Sequence, residues 1–191
     1  MNQSECTACR LHKARSRVVV SDGPVDRNCD IVIVGEAPGK DEDKSGIPFV
    51  GRSGRFLRKA CKRYGSVDLG IDCVVLSSVS CRPPNNRNPL EDELEACAEW
   101  LQLNMFKINP KYVLLVGKWA AKSFLQSVHI LDIGRLLSRE KLLDMWNNDR
   151  FRFRPYHIYH PSYVERQHSI ELRHEWNHQI AIFFAIANGR L

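Results

Sequence analysis

Acidic, aromatic and glycine residues are concentrated in the stretch from Ile31 to Arg55, with the sequence IVIVGEAPGKDEDKSGIPFVGRSGR. It begins with the apolar run Ile31–Val34, which predicts a buried strand that stops at Gly35. In the polar segment that follows, glycines let backbone amides approach a ligand closely, and carboxylates can move protons or orient water. A loop of this length and composition after a buried strand is typical of a site at the carboxyl edge of an α/β sheet.

Cysteines provide a second candidate site. Cys6 and Cys9 form a Cys-x-x-Cys pair, and the lack of a preceding strand argues against a thioredoxin-type redox site. Residues 1–17 are too few to bury a core, so two thiolates bound to a metal would anchor this segment. With Cys81 and Cys97 the pair would complete a four-thiolate site for an iron–sulfur cluster or a structural zinc ion, and spacing alone does not choose between them. The alternative is that Cys81 and Cys97 are ordinary buried thiols, as we predict for Cys29, Cys61 and Cys73.

Two short motifs resemble known catalytic signatures but lack an essential part. GEAPGKD at Gly35–Asp41 is one residue short of a phosphate-binding P-loop, and Asp41 stands where a magnesium-binding Ser or Thr is required. HEWNH at His174–His178 matches the zinc-protease pattern, but no His, Asp, Glu or Cys follows it to serve as the third ligand. We interpret the second motif as a solvent-exposed helix face.

The elements that must position these residues alternate between strands and helices. Buried strands are predicted at Ile31–Val34, Cys73–Val79, Tyr112–Val116 and Tyr156–Tyr159, and helices at Arg52–Tyr64, Leu90–Phe106, Trp119–Leu125 and Glu171–Ala187. This alternation predicts an α/β fold with a parallel sheet covered on both faces. Prolines exclude regular structure from SCRPPNNRNP, and the pattern of Ile130–Asn148 is ambiguous. His160 directly follows the fourth strand, at the edge of the central loop, so both a catalytic and a structural role are open to it.

Composition limits the class of protein. The 191 residues include 28 Lys and Arg against 22 Asp and Glu, which gives a net charge of +6 and favours a polyanionic partner. The length predicts one domain that covers residues 1–191. No segment is long and apolar enough to span a bilayer, and the N-terminus lacks the apolar core of a signal peptide. We therefore expect a cytoplasmic monomer with reduced cysteines and no membrane partner.

Considered in order, the motifs GEAPGKDED, GIPFVGRSGRFL, CRPPNNRNPLEDELEAC and HPSYVER resemble the iron–sulfur-containing family four branch of the uracil-DNA glycosylase superfamily. The resemblance extends from Cys6 to about Arg166. It implies a three-layer α/β/α fold with a four-stranded parallel sheet. It also implies a 4Fe–4S cluster on Cys6, Cys9, Cys81 and Cys97, which ties the N-terminus to the CRPP loop near the DNA. The implied activity is that of a monofunctional DNA glycosylase, which hydrolyses the N-glycosidic bond of a flipped-out base and leaves an abasic site.

The resemblance also implies roles for individual residues. Glu42 matches the acidic position associated with the attacking water, and Asn86 matches a polar residue near the reaction centre. His160 matches the histidine that stabilises negative charge on the departing base, which an oxocarbenium-like transition state requires. Phe49 matches the aromatic residue that stacks on the extruded base. The first wall of the base pocket would run from Glu36 to Gly39 and include Ala37, and the loop that enters the DNA would run from Ser162 to Arg166.

Basic residues lie between the apolar positions of the predicted helix Arg52–Tyr64, where they would form a stripe facing the DNA phosphates. The alternative, which applies most to the distal members, is a solvent-exposed helix face without a DNA contact. The stripe comprises Arg52, Arg55, Arg58, Lys59, Lys62 and Arg63.

One position departs from the family pattern. The family has Asn four residues before the third cluster cysteine, where its amide pairs with the edge of uracil, and this chain has Ser77 there; Ser80 likewise replaces a lysine. A hydroxyl is shorter than an amide and rotates, so Ser77 predicts weaker discrimination between uracil and cytosine and more room in the pocket. Two substrates stay open: uracil in DNA repair, or an enlarged pyrimidine such as glucosylated hydroxymethylcytosine of phage DNA in antiviral defence. The alternative of a different class is a DNA-binding iron–sulfur protein without catalysis.

Overall fold

The computed structural model describes residues 3–127 and 153–191. Four strands form one parallel sheet in the order β2–β1–β3–β4. Their aliphatic residues are buried on both faces, as the strands of a covered parallel sheet must be, and the prediction of a four-stranded parallel sheet is confirmed. The strands are β1 at Ile31–Gly35, β2 at Val74–Ser77, β3 at Tyr112–Val116 and β4 at Arg154–Ile158.

Six α-helices lie within the described ranges. They are α1 at Lys40–Ser45, α2 at Arg52–Ala60, α3 at Glu91–Ile108, α4 at Lys118–Ser127, α5 at Pro161–Gln167 and α6 at Ile170–Ala187. Helix α2 continues into a π-helical turn at Cys61–Gly65, and 3-10 turns lie at Gln3–Glu5, Arg10–Lys13 and Pro84–Asn86. The ambiguous segment Ile130–Asn148 lies outside the described residues. No helix in the described ranges has the length and hydrophobicity needed to cross a membrane.

The core consists of two apolar layers, one on each face of the sheet. Successive residues of a strand point to opposite faces. On one face Ile33 packs with Leu57 of α2 and Trp176 of α6. On the other face Val34 packs with residues of α3 and α4 that include Phe124. Helices therefore cover both faces, and the predicted three-layer α/β/α arrangement is confirmed.

Two helices occupy segments for which the sequence predicts loops, and both depend on their caps. Helix α1 lies inside the glycine-rich loop, where the Gly39 N–H donates to the side chain of Glu42 at 3.0 Å and Gly46 ends the helix with a φ of 78°. Helix α5 begins with Pro161 and is capped by the His160 side chain. Six- and seven-residue helices are too short to show apolar periodicity, so the pattern of apolar residues predicts neither.

Candidate active site and cysteine site

His160 follows β4 and caps helix α5. Its Nδ1 atom lies 2.8 Å from the Ser162 hydroxyl oxygen and accepts a hydrogen bond from the Ser162 backbone N–H at 3.3 Å. Because Nδ1 is an acceptor, the proton of the neutral imidazole is on Nε2. Burial, with a smaller contribution from the positive charge of Arg166, lowers the pKa of His160 to about 4. At neutral pH the ring is therefore uncharged and presents an Nε2–H donor.

Two glycines at the strand ends make room for side chains of the site. A Cβ at Gly35, the last residue of β1, would lie 2.5 Å from the ring of Phe49. A Cβ at Gly117, directly after β3, would lie 3.0 Å from the Cβ of His160. The Phe49 ring thus covers the end of β1, and His160 lies against the end of β3. Both predicted base contacts are therefore at the carboxyl edge of the sheet, where ligands of open α/β sheets bind.

Ser77 lies on the same face of the sheet as the Phe49 ring. It pairs with Gly35 in the parallel register of β1 and β2, and directly paired residues of neighbouring strands point to the same face. The Phe49 ring occupies the space above Gly35 on that face. The hydroxyl that replaces the family asparagine is therefore placed beside the aromatic ring predicted to stack on the base.

Glu42 connects the two ends of the loop that carries Phe49. Its side chain is buried, and its two oxygens accept hydrogen bonds from the backbone N–H groups of Gly39 at 3.0 Å and Gly51 at 2.6 Å. Gly39 is the end of the predicted wall of the base pocket, and its amide is used within the protein because it donates to Glu42. Each carboxylate oxygen keeps a further lone pair, so the brace leaves room for a hydrogen bond from water.

Glu36 and Ala37 follow β1 directly. Burial raises the pKa of Glu36 to about 7, and the positive charge of Lys118 acts in the opposite direction. The carboxyl is therefore partly protonated at neutral pH and can donate as well as accept a hydrogen bond. Ala37 packs toward the apolar cluster that contains Cys81 and Cys97. This wall thus joins the strand edge to the cysteine site.

Asn86 lies in the exposed 3-10 turn Pro84–Asn86, in a left-handed conformation with a φ of 54°. Its Oδ1 accepts a hydrogen bond from the Arg82 side chain at 2.7 Å. Within the described residues this bond joins Asn86 to the CRPP loop, and no hydrogen bond connects it to Glu42 or His160. Its role near the reaction centre stays a prediction.

The predicted basic stripe on α2 is divided by the structure. Arg58 points inward, where its guanidinium donates to the carbonyl oxygens of Pro48 at 2.8 Å and Phe49 at 2.9 Å and forms an ion pair with Asp22. The interpretation of Arg58 as a phosphate contact is wrong for this structure, because its donors are used within the protein. Helix periodicity alone could not show this, since the direction depends on the loop before the helix.

Arg52 and Arg55 remain accessible. The Arg52 side chain is 82% exposed and forms an ion pair with Glu165 of α5 at 3.2 Å. The Arg55 side chain is 66% exposed and donates to the Val50 carbonyl oxygen at 2.8 Å. An exposed ion pair of this kind contributes little to stability. Both guanidinium groups are therefore available to a polyanion at low energetic cost.

An aromatic pair flanks His160, and neither ring was singled out from the sequence, although Tyr163 lies in the segment predicted to enter the DNA. Tyr159 and Tyr163 are 47% and 41% exposed, and their ring centroids are 5.2 Å apart. The Tyr159 backbone is held by a hydrogen bond from the Trp176 indole at 2.8 Å. Exposed aromatic rings suit stacking on nucleobases. Their position on both sides of the His-Pro-Ser motif was the signal that could have identified them.

The four predicted ligand cysteines converge on one region. Cys81 and Cys97 are buried in one apolar cluster, Cys9 packs against it, and all of the cysteines are free thiols. Burial raises the pKa of Cys97 to about 12, and Cys9, Cys81 and Cys6 contribute smaller increases because like charges would repel. A metal group that binds the thiolates removes this penalty. Four convergent thiols therefore fit a four-thiolate site.

Arg15 links two of these cysteines. Its guanidinium donates to the Cys81 sulfur at 3.1 Å and to the Cys6 carbonyl oxygen at 2.7 Å. The next residue, Ser16, donates its N–H to the buried Asp43 of α1 at 2.9 Å. The N-terminal segment is thus joined both to the CRPP loop and to the loop of Glu42.

No set of three or more His, Cys, Asp and Glu side chains in residues 3–127 and 153–191 is arranged to bind a single metal ion. This applies to the HEWNH motif, whose His174 and His178 are exposed on α6. The interpretation of the motif as an exposed helix face agrees with their position.

Comparison with known proteins gives matches along most of the chain. A family model described as "Uracil DNA glycosylase superfamily" matches residues 23–181. A type-4 uracil-DNA glycosylase of Thermotoga maritima is 38% identical over 173 residues, which are 88% of this chain and 82% of that protein. A type-4 uracil-DNA glycosylase of Pyrobaculum aerophilum is 36% identical over 94% of this chain and 88% of its own length. One of Archaeoglobus fulgidus is 34% identical, with 83% and 77% covered.

Proposed function

Because this chain belongs to the uracil-DNA glycosylase superfamily, we propose that it is a monofunctional DNA glycosylase. It takes a pyrimidine out of DNA, hydrolyses the N-glycosidic bond with water and leaves an abasic site. The observation that carries the proposal is the neutral His160, whose Nδ1 accepts from Ser162 and whose Nε2–H is left to donate. It lies at the same sheet edge as Phe49.

The reaction needs a group that stabilises the departing base. When the glycosidic bond breaks, negative charge develops on the base and positive charge on the sugar. The base stacks on Phe49, and the Nε2–H of His160 donates to the base oxygen on which charge accumulates. A fixed, desolvated donor acts more strongly on the transition state than on the neutral base. His160 therefore accelerates bond cleavage without transferring a proton.

Water attacks the sugar from the side of the loop braced by Glu42. Both carboxylate oxygens hold backbone amides, and the lone pairs that remain orient the water. As the water oxygen bonds to the sugar, its proton passes to solvent, and the released base anion takes up a proton from solvent. The brace keeps the carboxylate in place, and its charge stabilises the developing oxocarbenium ion. Glu42 thus combines a positioning role for the Phe49 loop with a direct role in hydrolysis.

The DNA backbone is held by the accessible guanidinium groups of Arg52, Arg55 and Arg166. Phosphate contacts of this type position the duplex without reading its sequence. Ser162, in the segment that enters the DNA, has its hydroxyl at the His160 ring and donates its backbone N–H to Nδ1, so it contributes mainly by holding the ring in its tautomer and orientation.

We propose that Cys6, Cys9, Cys81 and Cys97 hold a 4Fe–4S cluster. When bound, the cluster supplies a covalent connection between the N-terminal segment and the CRPP loop, with a structural role. Four cysteine thiolates are the ligands of such a cluster, and Cys9, Cys81 and Cys97 pack together in one apolar cluster. Arg15 adds a charge-assisted hydrogen bond to the Cys81 sulfur.

Uracil is the substrate named for the type-4 relatives, and it is the first candidate here. Ser77 beside the Phe49 ring favours a second candidate, an enlarged pyrimidine such as glucosylated hydroxymethylcytosine. The Ser77→Asn variant should shift the ratio of kcat/KM toward uracil, because an amide both donates and accepts along the base edge. Parallel assays on the two DNAs measure this ratio. An unchanged ratio would remove Ser77 from the specificity of the site.

The variants His160→Ala and Glu42→Ala of this protein distinguish the proposed glycosylase from the alternative, a DNA-binding protein without catalysis. Loss of a fixed transition-state donor costs about 10²–10³-fold in kcat, and we expect a loss of that order for His160→Ala in single-turnover base release. His174→Ala, an exposed histidine on α6, is the control and should keep full activity. If neither site variant changed base release from any DNA, the proposed site would be wrong.

A further inference from the structure

We propose that Arg58, anchored by Asp22, is a positioning residue for Phe49 and sets the stacking surface for the extruded base without touching DNA. The inference rests on the proposed function, in which Phe49 stacks on the base. It gives a role to Arg58, the residue of the predicted basic stripe whose side chain points into the protein.

The backbone of Phe49 needs an external constraint. Its φ of 56° lies in the left-handed region, which side chains with a Cβ rarely adopt. Such a conformation persists only when the surrounding structure determines it, and it is found most often where a side chain must be aimed. At Phe49 the consequence is that the ring lies over Gly35 at the end of β1.

Two residues of α2 provide this constraint from one helix face. Gly54 and Arg58 are four residues apart, so they lie on the same side of the helix. Gly54 packs directly on the Phe49 backbone, since a Cβ there would lie 2.1 Å from the Phe49 carbonyl carbon. Arg58 donates to the carbonyl oxygens of Phe49 and of the preceding Pro48, at 2.9 and 2.8 Å. The peptide groups on both sides of the Phe49 Cα are thus fixed to one helix.

The guanidinium of Arg58 is itself fixed to the sheet. Its partner Asp22 exchanges two backbone hydrogen bonds with Val75 of β2, at 3.0 and 2.8 Å. A third carbonyl, that of Leu69, accepts from Arg58 at 2.9 Å. Only the planar, forked donor set of arginine can serve three carbonyls and a carboxylate together. Arg58 and Asp22 therefore hold Phe49 in a fixed position relative to β2, the strand that also carries Ser77.

The role proposed for Arg58 has different measurable effects from those of a phosphate contact. A residue that binds phosphate changes affinity for any DNA and lowers the salt dependence of binding by about one counterion. A residue that aims the stacking ring changes only steps in which a base occupies the pocket. DNA with an abasic site has no base to stack, so it distinguishes the two roles.

The test compares Arg58→Met with Lys59→Met, which removes the same charge from the exposed neighbouring position of α2. We expect Arg58→Met to lower kcat/KM for base release by about ten- to hundredfold, the scale of a displaced catalytic contact. Its Kd for abasic-site DNA and the salt dependence of that Kd should equal those of the wild type, whereas Lys59→Met shows the effect of removing one exposed positive charge from the same helix. Weaker binding of abasic-site DNA by Arg58→Met than by the wild type, or unchanged kcat/KM, would overturn the inference.

A double-mutant cycle shows whether Arg58 acts through Phe49. In a Phe49→Ala background the Arg58→Met change should have no further effect on base release, because the ring it aims is absent. If the fold-reduction of base release in the double variant equalled the product of those in the two single variants, Arg58 would act independently of Phe49, which would contradict the inference. Arg58→Lys serves if Arg58→Met fails to fold: it keeps a charge for Asp22 but not the fork, and we expect an intermediate loss of kcat/KM. If the wild type releases a base and Arg58→Lys does so with the same kinetics, only the inference about Arg58 is refuted. If the wild type releases no base, the proposed function is refuted, and the inference with it.

Discussion

At the scale of single residues, the chemistry depends on which nitrogen of His160 carries the proton. The Ser162 backbone N–H donates to Nδ1, and the hydroxyl of the same residue lies 2.8 Å from it. Burial keeps the ring uncharged. The proposed donor is therefore a neutral imidazole, and the helix cap that orders α5 also orients the ring that we propose to be catalytic.

Ser162→Ala should slow base release by about three- to tenfold, because the hydroxyl that contacts Nδ1 and holds the ring is lost, while the backbone N–H that fixes the tautomer remains. Single-turnover base release measures the effect. Ser169→Ala is the control, since Ser169 caps α6 by accepting from the Leu172 N–H and, within the described residues, forms no hydrogen bond with His160. It should lose helix stability but keep the wild-type rate. Equal rates in the two variants would show that the Ser162 hydroxyl does not orient the His160 ring.

The lowered pKa of His160 predicts a pH dependence of stability. An unfolded histidine binds a proton near pH 6.5, whereas the folded chain excludes it until about pH 4. The unfolding free energy should therefore fall as the pH falls through this window. Glu36 acts in the opposite sense, since its pKa is raised by burial to about 7 and the folded chain binds its proton first.

Urea unfolding of the wild type and of His160→Asn between neutral pH and pH 4.5 tests the histidine contribution. Asparagine preserves the helix cap but has no titrating ring. The unfolding free energy of the wild type should fall more over this interval than that of the variant. The same pH dependence in both proteins would mean that His160 titrates normally in the folded state.

At the scale of elements, the site depends on how one loop is fixed between β1 and α2. Glu42 closes the loop from within, and Gly54 lets α2 pack on the Phe49 backbone. Helix α1 divides the same loop and uses Glu42 as part of its cap. The loop is therefore a rigid structure, which a stacking surface requires.

Gly54→Ala should be destabilising and should slow base release, because the new Cβ would lie 2.1 Å from the Phe49 carbonyl carbon. Overpacking of this kind costs about 1–3 kcal/mol, and displacement of Phe49 should lower kcat/KM as well. Ser53→Ala, one position earlier on α2, is the control and should be close to the wild type. Thermal unfolding and base release measure the two effects. A Gly54→Ala protein as stable and active as Ser53→Ala would show that the contact is not restrictive.

The sequence predicts well those strands and helices whose own residues carry a clear apolar pattern. β3 is predicted residue for residue, and α3 and α6 are found within two residues of their predicted ends, because continuous apolar runs and helical periodicity define them. Helix α1 and the inward direction of Arg58 were missed, since they depend on caps and contacts that only the folded chain brings together. The motifs predicted to be catalytic place Phe49 and His160 at the sheet edge, but they do not show that both Glu42 oxygens accept backbone hydrogen bonds.

At the scale of the whole molecule, the N-terminal segment is joined to the rest of the chain through polar contacts and cysteines. Gln3 donates to Ser80 at 2.9 Å, and Arg15 reaches the Cys81 sulfur. Ser80 replaces the family lysine, and its hydrogen bond to Gln3 gives it a structural partner here. A cluster on the four cysteines would stabilise the contacts that also position α1.

Cys97→Ala should remove the absorbance band at about 400 nm, the usual iron–sulfur region, and lower the midpoint of thermal unfolding. The reason is that the free energy of binding a metal group to a site absent from the unfolded chain adds to the free energy of folding. Cys73→Ala removes another buried thiol and is the control. It should keep the absorbance band. Retention of the band in Cys97→Ala would contradict the assignment of the ligands.

We propose that this protein releases a base from DNA and leaves an abasic site. Base release with abasic-site detection can be measured on two DNAs in parallel, one with uracil and the other with glucosylated hydroxymethylcytosine from phage. We expect free base and abasic sites from at least one DNA, and neither with His160→Ala at the same enzyme concentration and time. Release from uracil DNA alone would assign a repair substrate, and release from phage DNA alone would assign an enlarged pocket and a defence role. No release from either DNA by protein that binds both would contradict the claim and favour a non-catalytic DNA-binding protein.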